Sequence, residues 1–242
     1  MVQGFGMRIN RFFTDLGFCS RREADKLIIA GRVRINDHVA VLGEQVSETD
    51  KVFVDSVPLT YLPPKVYIMY NKPIGITCTT ERQIKGNIID AVNHPLRVFP
   101  IGRLDKESSG LILLTNDGDI VNRILREEFQ HEKEYVVEVD KDLNQDFLNR
   151  MSEGVDIGDH FTRPCKIKSL GLRKFSIILM EGKNRQIRRM CEALGFKVKK
   201  LQRVRIMNLH LNQLKTGQWK DIPPDDLRIL KEKLNLLVLE AN

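Results

Sequence analysis

The sequence predicts an α+β fold in two parts. A small N-terminal module of helices and short strands precedes a larger domain built on a mixed, mostly antiparallel sheet. Three observations carry this. Apolar spacing switches from helical to alternating within the first 60 residues. Strand-like and helix-like segments interleave after Leu62-Pro63-Pro64-Lys65, which reads as a linker between a module at 7–62 and a domain at 66–242. The 242 residues, 42% hydrophobic and 29% charged, suffice for one or two cores and exclude a disordered chain.

The elements follow in order. Ile9, Phe12, Phe13 and Leu16 recur at helical spacing, and Gly17 ends that helix. Ser20-Arg21-Arg22-Glu23 is a capping box opening a second helix, with Ala24, Leu27 and Ile28 on its apolar stripe and Gly31 as its stop. Val33, Ile35, Val39 and Val41 alternate around a turn at Asn36-Asp37, and Val52-Phe53-Val54 is a further strand. In the larger domain, residues 66–70, 112–114, 135–139 and 175–179 read as strands. Residues 120–125, 143–151 and 185–194 read as helices. A terminal helix after Pro223-Pro224 carries Leu227, Leu230, Leu234 and Leu237 on one stripe.

Charge is unevenly placed. The net charge is +7, yet residues 183–205 alone hold nine Lys/Arg against Glu192. Residues 1–36 are also basic, through Arg8, Arg11, Arg21, Arg22, Lys26, Arg32 and Arg34, whereas 37–64 are net acidic. Such clustering is the footprint of a polyanion-binding face. The four cysteines are widely spaced and form no C-x-x-C pair, so reduced thiols and a cytoplasmic location are expected, with no zinc site. No apolar run approaches the ~18 residues of a membrane span, and the N-terminus lacks the regions of a signal peptide.

Met7 to Phe12, Cys19 to Lys26 and Gly31 to Asn36 together resemble the S4 (α-L) RNA-binding domain. That resemblance implies RNA binding by the helix pair. Downstream, Gly102-Arg103-Leu104-Asp105 lies between two apolar runs, where a carboxylate on a short connection is rigidly held. By position alone the commoner fate of such a residue is a turn-capping Asp. Its surroundings, Gly102 to Leu111, resemble the signature of the RsuA/RluA-type pseudouridine synthases. Asn71-Lys72-Pro73-Ile74-Gly75, Lys133-Glu134-Tyr135, Gly182 to Met190 and Lys199-Lys200-Leu201 resemble that family's other elements, in the family order.

The resemblance implies a cofactor-free RNA isomerase in which Asp105 is the catalytic aspartate. It makes Tyr135 the tyrosine that stacks on a flipped-out uridine, Arg188 the arginine that pairs with the aspartate, and Leu201 the apolar wall of the base pocket. Read without it, Tyr135 is a half-buried strand aromatic, Arg188 a phosphate- or solvent-facing cation and Leu201 ordinary core. Arg103, Lys183, Arg185, Arg189, Lys199, Lys200 and Arg203 are candidate RNA contacts; His94 and His131 read as structural. Asn184 to Glu192 followed by Lys199 to Asn208 is most similar to the large-subunit branch of the family. That likeness implies 23S rRNA as substrate, tRNA-Tyr as a further one, and a monomer. Competing readings are another rRNA site or 16S rRNA, and a non-catalytic S4-type assembly factor.

Overall fold

The structure, a computed structural model, describes residues 6–60, 63–126 and 131–236. Leu62 of the expected linker and Leu237 of the terminal stripe lie outside these residues. The chain divides into two compact units: residues 1–66 with 94–98 and 116–118, and residues 67–93, 99–115 and 119–242.

The first unit opens with β1 (Met7–Arg8), α1 (Ile9–Asp15) and α2 (Arg21–Ile29). Ile9 and Phe13, one turn apart, are fully buried, and Gly17 ends α1 at φ +68°. The capping box of α2 is reciprocal: Glu23 N–H donates to Ser20 Oγ at 3.2 Å and Ser20 N–H to Glu23 Oε2 at 2.7 Å. There follow β2 (Val33–Ile35), β3 (His38–Val39), β4 (Gln45–Val46), β5 (Val52–Val54) and β6 (Val57–Pro58). They pair in the order β3-β2-β5-β6, with β4 on β1. One expectation is corrected here. Val39 and Val41 are exposed and Ala40 is buried. Val39 pairs with the exposed Arg34, and Ala40 N–H donates to Val33 O, so the turn sets the opposite side of this strand inward.

The second unit runs β7 (Tyr67–Lys72), α3 (Ile88–Val92), β8 (Phe99–Ile101), β9 (Ser109–Thr115), α4 (Gly118–Leu125), β10 (Lys133–Val139) and α5 (Gln145–Glu153). It continues through β11 (Lys166–Gly171), β12 (Lys174–Leu179), α6 (Gln186–Ala193), β13 (Val198–Ile206), β14 (Leu209–His210), β15 (Trp219–Asp221) and α7 (Pro224–Lys233). The main path of the sheet is β11-β12-β10-β13-β9-β7-β15. Neighbours are antiparallel except β13 and β9, which run parallel. Strand β9 is covered on both faces, so Leu111 to Leu114 form a continuous apolar run without alternation. On one face Met69, Leu111 and Leu113 pack with Ile120 and Ile124 of α4 and Leu230 of α7. Near α5, the Phe147 ring lies 4.3 Å from that of Phe196 and 5.5 Å from that of Phe175. The basic run after Phe196 is strand β13; its charged residues hide the strand period, and Leu201, Arg203 and Ile206 are its buried positions.

Candidate active site

The β8–β9 connection, residues 102–108, carries Asp105. Gly102 turns the chain at φ +77°, and Ser108 N–H donates to Asp105 O at 3.0 Å. A second loop buttresses the first: Gly75 N–H donates to Lys106 O at 2.8 Å. Lys72, fully buried at the end of β7, holds that second loop by donating its ammonium to Pro73 O and Ile76 O, each at 2.9 Å. Burial pulls the Lys72 pKa below its ordinary value. The Asn71-Lys72-Pro73-Ile74-Gly75 element is thus a brace for the loop bearing Asp105.

A cleft of about 220 Å³ opens over this loop, and Asp105, Tyr135, Arg188, Leu201 and Arg203 all line it. Tyr135 comes from β10, and Leu201 and Arg203 from β13. Arg188, on α6, points Nε at Asp105 Oδ2 from 3.9 Å. Its Nη2 donates to Ser108 Oγ at 3.1 Å and Glu107 O at 3.3 Å. Arg185 Nη1 lies 4.0 Å from Asp105 Oδ2 and donates to Glu107 Oε2 at 2.9 Å. That bond holds the Glu107 carboxyl below its usual range and raises Arg185. The carboxylate therefore faces two guanidinium groups and stays a third exposed to the cleft.

Arg185 lies outside the helix that was expected to begin with it. It occupies the left-handed region, φ 49°, just before Gln186–Ala193, a conformation that favours Gly, Asn or Asp. Two groups that the sequence did not single out hold it there. Gln186 Oε1 accepts Lys183 N–H at 3.1 Å, and Gln186 Nε2 donates to the buried carboxylate of Glu181 at 2.6 Å. Glu181 in turn accepts Arg163 N–H at 3.1 Å. These residues sit in a short polar stretch with no period, and only the closed loop reveals their role.

The other candidates divide. Arg103 and Lys183 line the cleft, and Lys199 and Lys200 are exposed on β13, the latter 3.1 Å from Glu138. Two expected RNA contacts do not lie on the open basic surface. Arg189 bonds Ile157 O and Asp159, and is absent from the cleft wall. Arg203 lines the cleft but is 4% exposed, so it offers nothing to a phosphate on the outer surface; its place among apolar strand residues takes it inside. His131, read as structural, lines the cleft, while His94 Nδ1 accepts Leu96 N–H at 3.1 Å. In the first unit Arg8, Arg21, Arg22, Lys26, Arg32 and Arg34 are exposed, and Arg11 is half-buried. Arg32 pairs with Asp55, and Arg11 with Asp15 at 3.3 Å. Among the described residues no cluster of His, Cys, Asp or Glu could hold a metal ion, and no helix is long and apolar enough to cross a membrane.

A family model described as RNA pseudouridylate synthase matches residues 66–193, and one for the S4 domain matches residues 7–52. The chain is 48% identical over 232 residues to the dual-specificity RNA pseudouridine synthase RluF of Escherichia coli K12, covering 94% of this chain and 79% of that protein. It is 33% identical to ribosomal large subunit pseudouridine synthase B of Bacillus subtilis, over 93% of this chain and 95% of that one. A crystal structure of a pseudouridylate synthase superposes with a TM-score of 0.68 at 28% identity, over 93% of this chain and 99% of its own. The chain is an RNA pseudouridine synthase and belongs to the RNA pseudouridylate synthase family, in the branch that carries an N-terminal S4 domain.

Proposed function

We propose that this enzyme isomerises a uridine of 23S rRNA, and a uridine of tRNA as well, with Asp105 as its catalytic group. The observation that carries the reading is the meeting of Asp105, Tyr135, Arg188 and Leu201 in one cleft, from four separate elements. The dual-specificity name of the 48% identical relative supports more than one RNA target, and the ribosomal large subunit name of the 33% identical one supports large-subunit rRNA as one of them. The exposed cations of the S4 unit supply phosphate contacts.

Chemistry follows from the side chains. The target uridine leaves its stack at a cost of a few kcal/mol, and the Tyr135 ring returns roughly 1–3 kcal/mol by stacking. Leu201 closes the pocket against water. As the N1–C1′ bond breaks, the electron pair leaves with the base and C1′ becomes electron-poor. The Asp105 carboxylate stabilises or captures it. Arg188 orients that carboxylate, and its present 3.9 Å approach shortens when substrate fills the cleft. The base turns and re-adds through C5, which then loses its proton. No electron or atom enters from outside, so the reaction asks for no cofactor. The enzyme acts as a cytoplasmic monomer in this reading.

The experiment is pseudouridine mapping of 23S rRNA and tRNA after incubation with the protein and with Asp105→Asn, which keeps the shape and removes the nucleophile. New pseudouridines that vanish in the variant are expected. Modification that persists in Asp105→Asn removes the catalytic assignment. Modification of 16S rRNA alone removes the substrate. RNA binding by both proteins with no modification by either favours the assembly-factor reading.

A further inference from the structure

Arg203 is a buried cation without a counter-ion. It is 4% exposed, and among the described residues no carboxylate lies within salt-bridge distance of it. Nε donates to Leu111 O at 2.7 Å and Nη1 reaches Arg103 O at 3.5 Å. Nη2 is buried with no hydrogen-bond partner. A second buried cation, Lys72, is close enough to interact with both Arg203 and Asp105. Leaving a charged donor buried and unpaired is costly, commonly by several kcal/mol.

Its position suggests what the donor is for. Arg203 pairs directly with Tyr135 across the β10–β13 ladder, and opposed residues project from the same face about 5 Å apart. It also lies two residues from Leu201, again on that face, and it lines the same cleft. Arg203 thus stems from the strand position opposite the aromatic ring on which the base is to stack, and its Nη2 has no acceptor of its own.

We propose that Arg203 Nη2 donates to a carbonyl oxygen of the uracil, O2 or O4, and stabilises the negative charge that reaches that oxygen when the N1–C1′ bond breaks. This rests on the reading of the cleft as the base pocket. The bond's electron pair leaves with the base and delocalises over N1, O2, N3 and O4. The guanidinium keeps its proton throughout, and the same electrons form the C5–C1′ bond on re-addition. A preorganised donor shielded from water is strongest at that moment.

The test is single-turnover pseudouridine formation by wild type, Arg203→Lys and Arg203→Met on RNA carrying uridine, 2-thiouridine or 4-thiouridine at the target. Sulfur at the contacted position is a poor acceptor. Both variants are expected to react roughly 10²–10³-fold more slowly, the usual effect of losing one such donor, with RNA affinity within about twofold of wild type, since the donor acts on charge that only bond cleavage creates. One thio substitution should slow wild type about tenfold, as expected for one hydrogen bond, and should slow Arg203→Met no further. That non-additivity marks direct contact. A merely structural role would make the two losses multiply, and that result overturns the inference. Should Arg203→Met unfold, Arg203→Lys and the wild-type thio effect decide, and wild type indifferent to both thio bases also overturns it. Wild type that forms no pseudouridine in any of the RNAs sinks the base-pocket reading as well.

Discussion

Gly110 is where β9 meets β13, and Gly110→Ala tests how that junction sets the site. Its φ is +106°, and an added Cβ would lie 2.2 Å from Arg203 O and 2.7 Å from Arg203 N, both rigid backbone atoms. The two strands run parallel through Ser109↔Gln202 and Gly110↔Arg203, so relief requires β13 to move. A side chain in the left-handed region costs about 1–2 kcal/mol, and forcing a carbon into a packed interior costs about 1–3 kcal/mol more. Urea unfolding should therefore show a loss of about 2–5 kcal/mol. Gly195→Ala is the control. Its φ is +80° and its Cβ would meet nothing within 4 Å, so the conformational cost alone, about 1–2 kcal/mol, is expected. Displacing β13 also carries Leu201 and Arg203 away from Asp105, and a shift near 1 Å can cost on the order of 10²-fold in rate. Equal stability losses in the two variants would refute the close-approach argument.

Other outcomes follow from the same structure. Ser20→Ala removes the capping box of α2 and should cost about 0.5–2 kcal/mol by thermal or urea melting. Burial pushes the Cys191 thiol up to about 12 and those of Cys19 and Cys165 to about 11. At pH 8, alkylation of these three in the native protein should be roughly a hundredfold or more slower than in urea, because only the thiolate reacts and its ordinary pKa is ~8.5. Burial, opposed by a hydrogen bond to Arg123 O, lowers the His131 pKa. Below about pH 6.5 the unfolded chain binds the proton that the folded ring refuses. Stability should fall from that pH down through the folded pKa and be unaffected above it. In urea titrations at pH 7.5 and 5.5, His131→Gln should lack that part of the acid loss.

Much of the fold is written locally. The capping box at Ser20, the period of Ile9, Phe12 and Phe13, and the apolar run of β9 each arise from contacts within a few residues or from a strand covered on both faces. They could be read without any partner element. The inward side of Val39-Ala40-Val41 could not, because pairing register, set by the turn at Asn36, chooses the buried residue. Strand β13 was equally hidden, since its lysines and arginines mask the period-two pattern.

The candidate site shows the same division. Residue types and their order are already present in the unfolded chain: Asp105 after a glycine turn, then Tyr135, Arg188 and Leu201, in a pattern shared with a family. Those properties are one-dimensional and survive in the sequence. Folding sets Arg203 inward opposite Tyr135 and ties Arg189 to Asp159. It alone has Glu181 and Gln186 hold the left-handed turn at Arg185, and Lys72 brace the loop of Asp105. A charged side chain has the same sequence signature on either face of a strand. Its environment is settled by which distant backbone carbonyls and carboxylates the sheet brings within hydrogen-bond reach.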